Sequence, residues 1–457
     1  MLPQPDTIAA VATAPGYGAL ATVRISGPEA PQVLRRVTSG MDHPLPPREA
    51  CLAEIRDPDS GEVVDQALVI HFPSPASYTG EHVVEVTGHG GVLSPAMVLE
   101  AVLKAGARQA EPGEFTRRAY LNGKMDLVQA EAVLDLVEGR SRALHRAAVH
   151  QLERGLSHRI GQLREQVIAL EALLAHHLDF PEEDEPPTPL ATIGHQAEGV
   201  GVALARLGAT APEGVLLRQG ALIVLAGAPN VGKSSLFNAL AGEDRALVTE
   251  IPGTTRDALE VEVSLGGYPF RLVDTAGLRE TDEVVERLGI EVAERYLRSA
   301  DVVLFCAETA RELTPEEGAF LASLDETPVV LVRTKGDRRT MGTRRGEARE
   351  GVQEVTVSTV TGRGLEQLQK LLPALVFQGL VQAAPSVPVL TRERQAVAVR
   401  SAEAEVLAFI AALREGVPPE VASAHLKGAV SALESVVGVV TGEDVLDHLF
   451  RSFCIGK

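Results

Sequence analysis

The sequence lacks tryptophan altogether and has only three cysteines in 457 residues. Aromatic side chains make up 4% of the chain, which disfavours the stacking platforms that bind single-stranded nucleic acid. Cys51, Cys306 and Cys454 lie far apart and form no Cys-x-x-Cys pair. The sequence therefore predicts neither a disulfide framework nor a zinc knuckle, and it fits a reducing compartment.

The chain also lacks an excess of positive charge and long apolar runs. Its 43 Lys and Arg against 62 Asp and Glu give a formal net charge of −19. That balance argues against a protein held on nucleic acid by its overall charge. No run approaches the ~20 apolar residues of a membrane span, and the N-terminal segment resembles no signal peptide. We therefore expect a cytoplasmic protein without membrane contact.

The first half of the chain contains two regions with different residue patterns. Residues 1–118 mix short Val-rich runs with helical ones and predict a small α+β domain. Residues 119–218 have a helical pattern, in which an aliphatic residue recurs every three or four positions from Leu152 to Leu178. This spacing predicts one long amphipathic helix. An acidic, proline-rich stretch at 179–189 ends it.

Strand-like and helical runs alternate from 219 to 379, and a helical pattern returns at 380–457. The buried-strand candidates are 221–226, 270–273, 301–306, 328–332 and 355–357. The alternation predicts a mostly parallel sheet flanked by helices. We therefore expect a multidomain α/β and α protein, with the α/β domain inserted into a helical domain formed by 119–218 and 380–457.

The strongest motif follows the first of these strands. Gly227-Ala-Pro-Asn-Val-Gly-Lys-Ser234 matches the phosphate-binding pattern G-x-x-x-x-G-K-S/T. Its glycines let backbone N–H groups surround phosphates, and Lys233 brings a positive charge to the β- and γ-phosphates. The Ser234 hydroxyl is a candidate Mg²⁺ ligand.

Later loops complete the set that a GTPase needs. Gly253-Thr-Thr-Arg-Asp257 offers Thr255 as a second Mg²⁺ ligand, and Asp274-Thr-Ala-Gly277 ends a strand. In Thr334-Lys-Gly-Asp337 the acceptor-only carboxylate can pair with the ring N–H and amine of guanine, a pair that adenine does not offer. Ser358-Thr-Val360 would place backbone N–H groups near the guanine oxygen. Each loop alone is an ordinary polar turn, but their order predicts a GTP-hydrolysing enzyme.

With these loops the chain resembles the family of bacterial tRNA modification GTPases called MnmE or TrmE, within the TrmE–Era–EngA–YihA–septin-like superfamily of G domains. The resemblance covers nearly the full length. Besides the GTPase loops, it rests on residues 6–8, 23–27, 88–91, 112–115, 127–132 and 453–457. It implies a tetrahydrofolate-binding and dimerisation domain at 1–118 and a Ras-like G domain at 219–379.

The resemblance also implies a set of nucleotide and ion ligands. The implied GTP-binding residues are Asn230, Val231, Gly232, Lys233, Ser234, Ser235, Thr249, Glu250, Ile251, Pro252, Gly253, Thr254, Thr255, Asp274, Thr275, Ala276, Gly277, Thr334, Lys335, Asp337, Ser358, Thr359 and Val360. The implied Mg²⁺ ligands are Ser234 and Thr255, and the implied K⁺ ligands are Asn230, Thr249, Ile251 and Thr254.

Three positions depart from common GTPase patterns. Leu278 stands where many GTPases have a Gln that orients water, so the catalytic residue must come from elsewhere. The resemblance implies Glu286, acting through bridging water. Thr334 replaces the family's usual Asn, which predicts weaker nucleotide binding with retained guanine specificity. Thr359 replaces the usual Ala and should change little, because backbone atoms make that contact.

The N-terminal domain resembles the folate-binding domains of aminomethyl-transfer enzymes. This implies that Arg24, Glu85 and Lys124 bind 5-formyl- or 5,10-methylene-tetrahydrofolate. Lys457 and the Cys454 thiol would lie on a tail that reaches this or a neighbouring pocket. From the residues alone, surface charges and a buried structural cysteine are the simpler interpretations.

The resemblance implies a K⁺-stimulated GTPase that forms a homodimer and acts on tRNA with the FAD-containing partner MnmG (GidA), in a heterotetramer or larger complex. Together they would add a 5-carboxymethylaminomethyl or aminomethyl group to the wobble uridine, using a tetrahydrofolate one-carbon unit. Candidate tRNA contacts are the Arg clusters at 117–118, 140–146, 338–345 and 392–400, each also typical of a solvated face. The alternatives are a ribosome-assembly or RNA-binding GTPase switch, and a folate-dependent methyltransferase with an incidental nucleotide site.

Overall fold

The computed structural model describes residues 6–39, 45–179, 188–243, 260–274, 295–324, 327–338, 352–384, 387–439 and 443–457. The chain divides into two compact units. One consists of Met1–Leu134 with Glu434–Lys457, and the other is Asp135–Leu433. The last residues of the chain are therefore grouped with the N-terminal unit, apart from the rest of 380–457.

The elements are as follows. The strands are β1 (Ile8–Val11), β2 (Leu20–Ser26), β3 (Cys51–Arg56), β4 (Val63–Phe72), β5 (Val83–His89), β6 (Arg108–Gln109), β7 (Ala221–Ala226), β8 (Glu260–Leu265), β9 (Tyr268–Asp274), β10 (Val302–Glu308), β11 (Val329–Thr334) and β12 (Gln353–Thr356). The helices are α1 (Ala30–Val37), α2 (Leu93–Lys104), α3 (Glu114–Leu121), α4 (Leu127–Glu138), α5 (Arg142–Leu152), α6 (Gly155–Asp179), α7 (Leu190–Gly208), α8 (Ala211–Gln219), α9 (Lys233–Glu243), α10 (Pro315–Ser323), α11 (Leu365–Val376), α12 (Gln378–Gln382), α13 (Glu393–Arg414), α14 (Pro419–Val437) and α15 (Glu443–Arg451).

The N-terminal unit is built on a sheet in the order β3-β4-β5-β2-β1-β6. Strands β1 and β6 pair in parallel, and the other neighbours are antiparallel. Because side chains alternate along a strand, one face collects Val23, Ile25 and Val69 into a core that α1 and α2 cover. The opposite face carries the polar residues of β2 and β5.

The C-terminal segment is built into this unit. Phe450 and Phe453 pack in one cluster with Leu127. Two glycines allow the close fit: a Cβ added to Gly113 would lie 2.4 Å from the Phe450 carbonyl oxygen, and one added to Gly456 would lie 2.4 Å from the Val11 oxygen. Gly456 also has φ +96, a conformation that favours glycine. The tail is thus held against β1 and the start of α3.

The predicted helical domain is present in the second unit, with one correction. Helix α7 packs against α6 and α13, so the helices before and after the inserted sheet meet. The long helix does not begin at Leu152. Arg154 has φ 67, which separates α5 from α6, and Leu152 belongs to α5. The buried seam starts at Leu156 and includes Ile160, Leu163, Val167, Leu170 and Leu174.

The stretch Leu190–Gln219 is long and apolar enough to cross a membrane by length and composition. In the structure it is two helices, α7 and α8. Ile193, Ala197 and Leu204 are fully buried, and α7 lies between its neighbours in the bundle. Because 39% of the apolar window is buried, this is the pattern of an amphipathic helix with one face in the bundle.

The inserted sheet has the order β12-β11-β10-β7-β9-β8. All neighbours are parallel except β8 with β9. The five predicted strands are therefore confirmed, as is the mixed α/β and helical architecture. Strand β8, a half-polar edge strand, was not predicted. Because parallel strands end at one edge of the sheet, the carboxyl ends of β7, β9, β10 and β11 lie side by side there.

Candidate nucleotide site and the Arg24–Glu85 pair

The phosphate loop connects β7 to α9 and lies directly on β10. Gly227 has φ +133, and an added Cβ would be 2.3 Å from the Cys306 carbonyl oxygen. Only glycine fits so close an approach. Helix α9 begins at Lys233, so the loop ends in a helix N-terminus, where backbone N–H groups and the helix dipole favour an anion.

Lys233 is folded over this loop. Its side chain is buried, and Nζ donates to the carbonyl oxygens of Gly227 at 2.9 Å and Ala228 at 2.8 Å. These bonds hold the ammonium group above the loop backbone, the position from which it can reach the β- and γ-phosphates.

Ser234 and Asp274 meet beside the loop. The Ser234 hydroxyl donates to Asp274 Oδ2 at 2.8 Å. A hydroxyl and a carboxylate fit Mg²⁺, which takes one or two protein oxygens and completes its shell with phosphate oxygens and water. Within the described ranges no group of three or more His, Cys, Asp or Glu side chains could hold a metal ion.

Asp337 lies at the position predicted to select guanine. Its carboxylate accepts a hydrogen bond from the Ser358 hydroxyl at 2.7 Å. This bond holds the pKa of Asp337 below its ordinary value, so the group remains an ionised acceptor. The Gly336 N–H donates to the Val357 carbonyl at 2.9 Å, which fixes the loop against the segment after β12.

The base loop is tied directly to the phosphate loop. The Thr334 hydroxyl donates to the Val231 carbonyl at 2.5 Å, and Lys335 Nζ donates to the Asn230 carbonyl at 3.0 Å. Lys335 also forms an ion pair with Glu308. Thr334 therefore keeps a bridge to the phosphate loop although it replaces the usual Asn. Sequence reasoning missed Glu308, whose only signal was its place at the end of β10.

The other predicted GTPase residues divide into two groups. Ser235 lies in the first turn of α9, Thr359 and Val360 follow Ser358 in the last loop, and Asn230 is exposed in the phosphate loop. Outside the described residues lie Thr249, Glu250, Ile251, Pro252, Gly253, Thr254, Thr255, Thr275, Ala276, Gly277, Leu278 and Glu286. The second Mg²⁺ ligand, three K⁺ ligands and the catalytic glutamate thus stay predictions.

In the N-terminal unit, Arg24 and Glu85 are partners across strands β2 and β5. Arg24 Nε and Nη2 contact the same oxygen, Glu85 Oε1, at 3.0 and 2.8 Å. The guanidinium carbon lies 5.4 Å from the centre of the Tyr78 ring and 5.8 Å from that of Phe115, within cation–π range. Arg24 Nη1 also donates to the Gly456 carbonyl at 3.4 Å, so the tail reaches this pair.

The predicted folate contacts are partly together. Glu85 Oε2 has no hydrogen-bond partner among the described residues, and its side chain is 26% exposed, so it can accept from the amine edge of a pterin. Lys124 instead donates to the Pro75 carbonyl at 3.0 Å, on the loop that carries Tyr78. Cys454 is exposed, and Lys457 follows the Gly456 that contacts Arg24. Tyr78, Phe115 and Gly456 were not predicted as part of this site.

The candidate tRNA clusters are largely engaged with carboxylates. Arg118 contacts Asp6, Glu81 and Glu114 within the N-terminal unit, so it is structural. In the second unit the ion pairs are Arg140–Glu262, Arg392–Asp135 and Arg400–Glu393. Residues 339–345 lie outside the described residues.

Several known proteins are similar to this chain. The family profile of the GTP-binding protein TrmE N-terminus matches residues 7–124, and that of the MnmE helical domain matches residues 127–454. The tRNA modification GTPase MnmE of Heliobacterium modesticaldum is 43% identical, and that of Moorella thermoacetica is 39% identical, each over 99% of both chains. The solved G domain of the T. maritima FeoB iron transporter is 31% identical over 35% of this chain and 99% of that one, with a TM-score of 0.25.

Proposed function

The chain belongs to the MnmE family of tRNA modification GTPases, and we propose that it is a K⁺-stimulated GTPase that acts with an MnmG (GidA) partner. The pair installs a 5-carboxymethylaminomethyl or aminomethyl group on the wobble uridine of certain tRNAs. The observation that supports the GTPase part best is the bonding of the phosphate loop to a guanine-selecting loop through Thr334 and Lys335.

Nucleotide binding follows from groups at the carboxyl edge of the inserted sheet. Backbone N–H groups of the phosphate loop and Lys233 receive the phosphates. Ser234, with Thr255, would hold Mg²⁺, and Asp274 would hold it through water; the ion would neutralise phosphate charge. Asp337 accepts from the guanine N–H groups.

Hydrolysis requires a group that orients water. Glu286 has this role in the proposal, because Leu278 has no polar atom for it. Asn230, with Thr249, Ile251 and Thr254, would hold K⁺ near the phosphates. Hydrolysis then acts as a conformational switch and not as the carbon chemistry itself.

The one-carbon unit is proposed to come from a tetrahydrofolate bound by Arg24, Glu85 and Lys124. Glu85 Oε2, which has no hydrogen-bond partner in the part of the chain that the structure describes, and the rings beside Arg24 support this assignment. Lys457 and the Cys454 thiol lie on the tail that contacts Arg24, and either could approach the folate from there. The domain bounds 1–118, 119–218, 219–379 and 380–457 are part of the same proposal.

We also propose a cytoplasmic homodimer formed through the N-terminal domain. On the sheet face that carries Arg24, the apolar side chains Leu20, Leu52 and Leu68 are 66%, 67% and 47% exposed. Exposed apolar side chains of this size favour association with another surface. The partner protein and tRNA then complete a larger complex.

Nucleoside analysis of tRNA from a strain that lacks this gene tests the modification. Wobble uridines should lose the C5 substituent, and the wild-type gene should restore it while the Lys233→Ala gene should not. Unchanged wobble uridines would contradict the proposal and favour a ribosome-assembly or RNA-binding switch. Separately, GTP hydrolysis should be faster in KCl than in NaCl at equal ionic strength; equal rates would remove the K⁺ part alone.

A further inference from the structure

The carboxylate of Glu308 lies beside the nucleotide site but belongs to none of its sequence motifs. Glu308 is the last residue of β10 and forms an ion pair with Lys335 of the base loop. Nζ of Lys335 also donates to the Asn230 carbonyl of the phosphate loop at 3.0 Å. A single ammonium group therefore joins the end of β10, the base loop and the phosphate loop.

The charge of Glu308 is directed to Lys335. The hydrogen bond and the positive charge of Lys335 hold the pKa of Glu308 below its ordinary value, so the carboxylate is ionised at neutral pH. Arg338 and Arg311 also act on it by their charge. Arg311, however, donates to both carboxylate oxygens of Glu317, at 2.7 and 2.5 Å. Lys335 is thus the cation that Glu308 holds by a hydrogen bond.

Lys335 spans two loops that bind opposite ends of a nucleotide. Its backbone lies two residues before Asp337, which would contact the base, and its Nζ bonds to Asn230, three residues before Lys233. Lys335 and Asn230 both have a left-handed backbone, with φ 57 and 60. Such conformations cost free energy in residues other than glycine unless the surrounding structure holds them. The bond between them therefore supports both loops and fixes their separation.

The bond to Asn230 needs a second partner for the ammonium group. The Lys335 side chain is 27% exposed, and the Asn230 carbonyl is neutral. With that carbonyl as its only partner, the ammonium group would be free to turn toward water or toward the phosphates of a bound nucleotide. A hydrogen bond between ionised partners is about twice as strong as a neutral one. The Glu308 carboxylate therefore keeps Lys335 as a tie between the loops and leaves the phosphates to Lys233.

We propose that Glu308 is a positioning residue for guanine nucleotides, which holds the ammonium group of Lys335 at the phosphate loop and so keeps Asp337 at a fixed distance from that loop. Glu308 acts through Lys335 and not by contact with the nucleotide. This inference rests on the proposed nucleotide site. It assigns a role to the end of β10, which no GTPase motif of the sequence covers.

Glu308→Gln and Glu308→Lys separate positioning from a general effect of charge. GTP and GDP are anions, so the loss of a nearby negative charge would by itself strengthen their binding, more for GTP than for GDP. If Glu308 positions Lys335, Glu308→Gln should instead weaken both by the same factor, about threefold to tenfold, and Glu308→Lys should weaken both further. Titrations of the full chain with fluorescent analogues of GTP and GDP measure these changes. Unchanged or tighter binding in Glu308→Lys overturns the proposal.

Glu317→Gln is the control for a merely structural role. Glu317 also pairs with an arginine of the inserted domain, and its side chain is 11% exposed. It caps the start of α10 through Thr314. Its replacement should lower the thermal unfolding midpoint but change GTP affinity less than about twofold. If both variants lower the midpoint and the GTP affinity equally, loss of domain stability explains the effect of Glu308, and the positioning role is wrong.

A double-mutant cycle shows whether Glu308 acts through Lys335. Lys335→Met keeps most of the side-chain stem and removes the ammonium group. In that background Glu308→Gln should change GTP affinity less than about twofold. A loss as large as in the wild-type background would mean that Glu308 acts by another route, which overturns the proposal. Absence of GTP binding by the wild type would overturn the nucleotide site itself, whereas wild-type binding that does not respond to Glu308 would overturn this inference alone.

Discussion

The nucleotide site and the Arg24–Glu85 pair both place charged groups on a sheet, but they hold them differently. At the edge of the inserted parallel sheet, Lys233 and Lys335 bond to backbone carbonyls of the phosphate loop. On the face of the antiparallel sheet, Arg24 bonds to the carboxylate of Glu85. A carbonyl leaves most of the cation's charge uncompensated, whereas a carboxylate cancels it.

This difference has a consequence for binding. An anion that enters the phosphate loop meets backbone N–H groups and Lys233, whose bonds to Gly227 and Ala228 are bonds to neutral carbonyls. Lys335 differs, because it is also paired with the carboxylate of Glu308. A ligand at the N-terminal pair must share Arg24 or Glu85 with an existing partner. We therefore expect substitutions in the phosphate loop to affect ligand binding most, and substitutions in the pair to affect stability as well.

The largest expected effect is that of Lys233→Ala. It removes the charge that faces the β- and γ-phosphates, so GTP affinity should fall more than about a hundredfold, measured by titration with a fluorescent GTP analogue. The thermal unfolding midpoint is measured alongside, so that a loss of GTP affinity is distinguished from a loss of the fold. Lys370→Ala is the control, since that side chain is 73% exposed and pairs with Glu366 on a helix surface. Similar losses in the two variants would contradict the role of Lys233.

Asp337→Asn tests base selection by the same site. The amide replaces an acceptor by a donor, so GTP should bind about tenfold to a hundredfold more weakly while xanthosine triphosphate gains affinity. Competition between the two nucleotides measures the change directly. Ser358→Ala should have a smaller effect of the same sign on GTP affinity, because it removes only the bond that orients the carboxylate. Unaltered GTP preference in Asp337→Asn would refute the base contact.

Glu85→Gln tests the expectation that the Arg24–Glu85 pair contributes to stability as well as to ligand binding. Arg24, with a side chain 17% exposed, would lose its counter-charge, which should lower the free energy of unfolding by about 1–3 kcal/mol. Binding of 5-formyl-tetrahydrofolate should weaken, while GTP affinity should not change. Denaturant unfolding and two separate titrations measure these quantities.

The matched control is Glu54→Gln. Glu54 also pairs with an arginine of the same sheet, but Arg56 and Glu54 are 37% and 41% exposed at their side chains, so the loss should be below about 1 kcal/mol. Equal destabilisation by the two variants would show that the Arg24–Glu85 pair is an ordinary surface pair.

The two sites also differ in how far the sequence predicts them. The phosphate and base loops are contiguous motifs at the ends of predicted strands, so Lys233, Ser234 and Asp337 could be identified residue by residue. Glu308 could not, because its contact with Lys335 depends on which strands are neighbours in the sheet. A short motif identifies the residues of one loop, but it does not show which strands are neighbours in the sheet.

The Arg24 site illustrates the opposite case. Tyr78, Phe115 and Gly456 reach Arg24 from three distant parts of the chain, and no spacing connects them. Residue patterns alone gave only surface charges there. The family resemblance supplied Arg24, Glu85 and Lys124 as folate contacts, but the pairing of Arg24 with Glu85 was not predicted. The aliphatic spacing also predicted the start of the long helix wrongly, at Leu152. The spacing continues across Arg154, where the backbone breaks the helix in two.

The smallest expected effect concerns the bond that joins the base loop to the phosphate loop. Thr334 is 3% exposed, and its hydroxyl already donates to the Val231 carbonyl. Thr334→Asn would keep that bond and add a donor toward the base, so GTP should bind about threefold to tenfold more tightly, the gain of one hydrogen bond. Thr334→Val, of similar shape without the hydroxyl, should weaken GTP binding by a comparable factor, because the Val231 carbonyl loses its donor. Guanine over adenine preference should stay the same in both, since Asp337 is untouched. If Thr334→Val bound GTP as tightly as the wild type, the bond of Lys335 to Asn230 would align the two loops without this hydroxyl. Unchanged GTP affinity in Thr334→Asn would show that the departure from Asn carries no penalty.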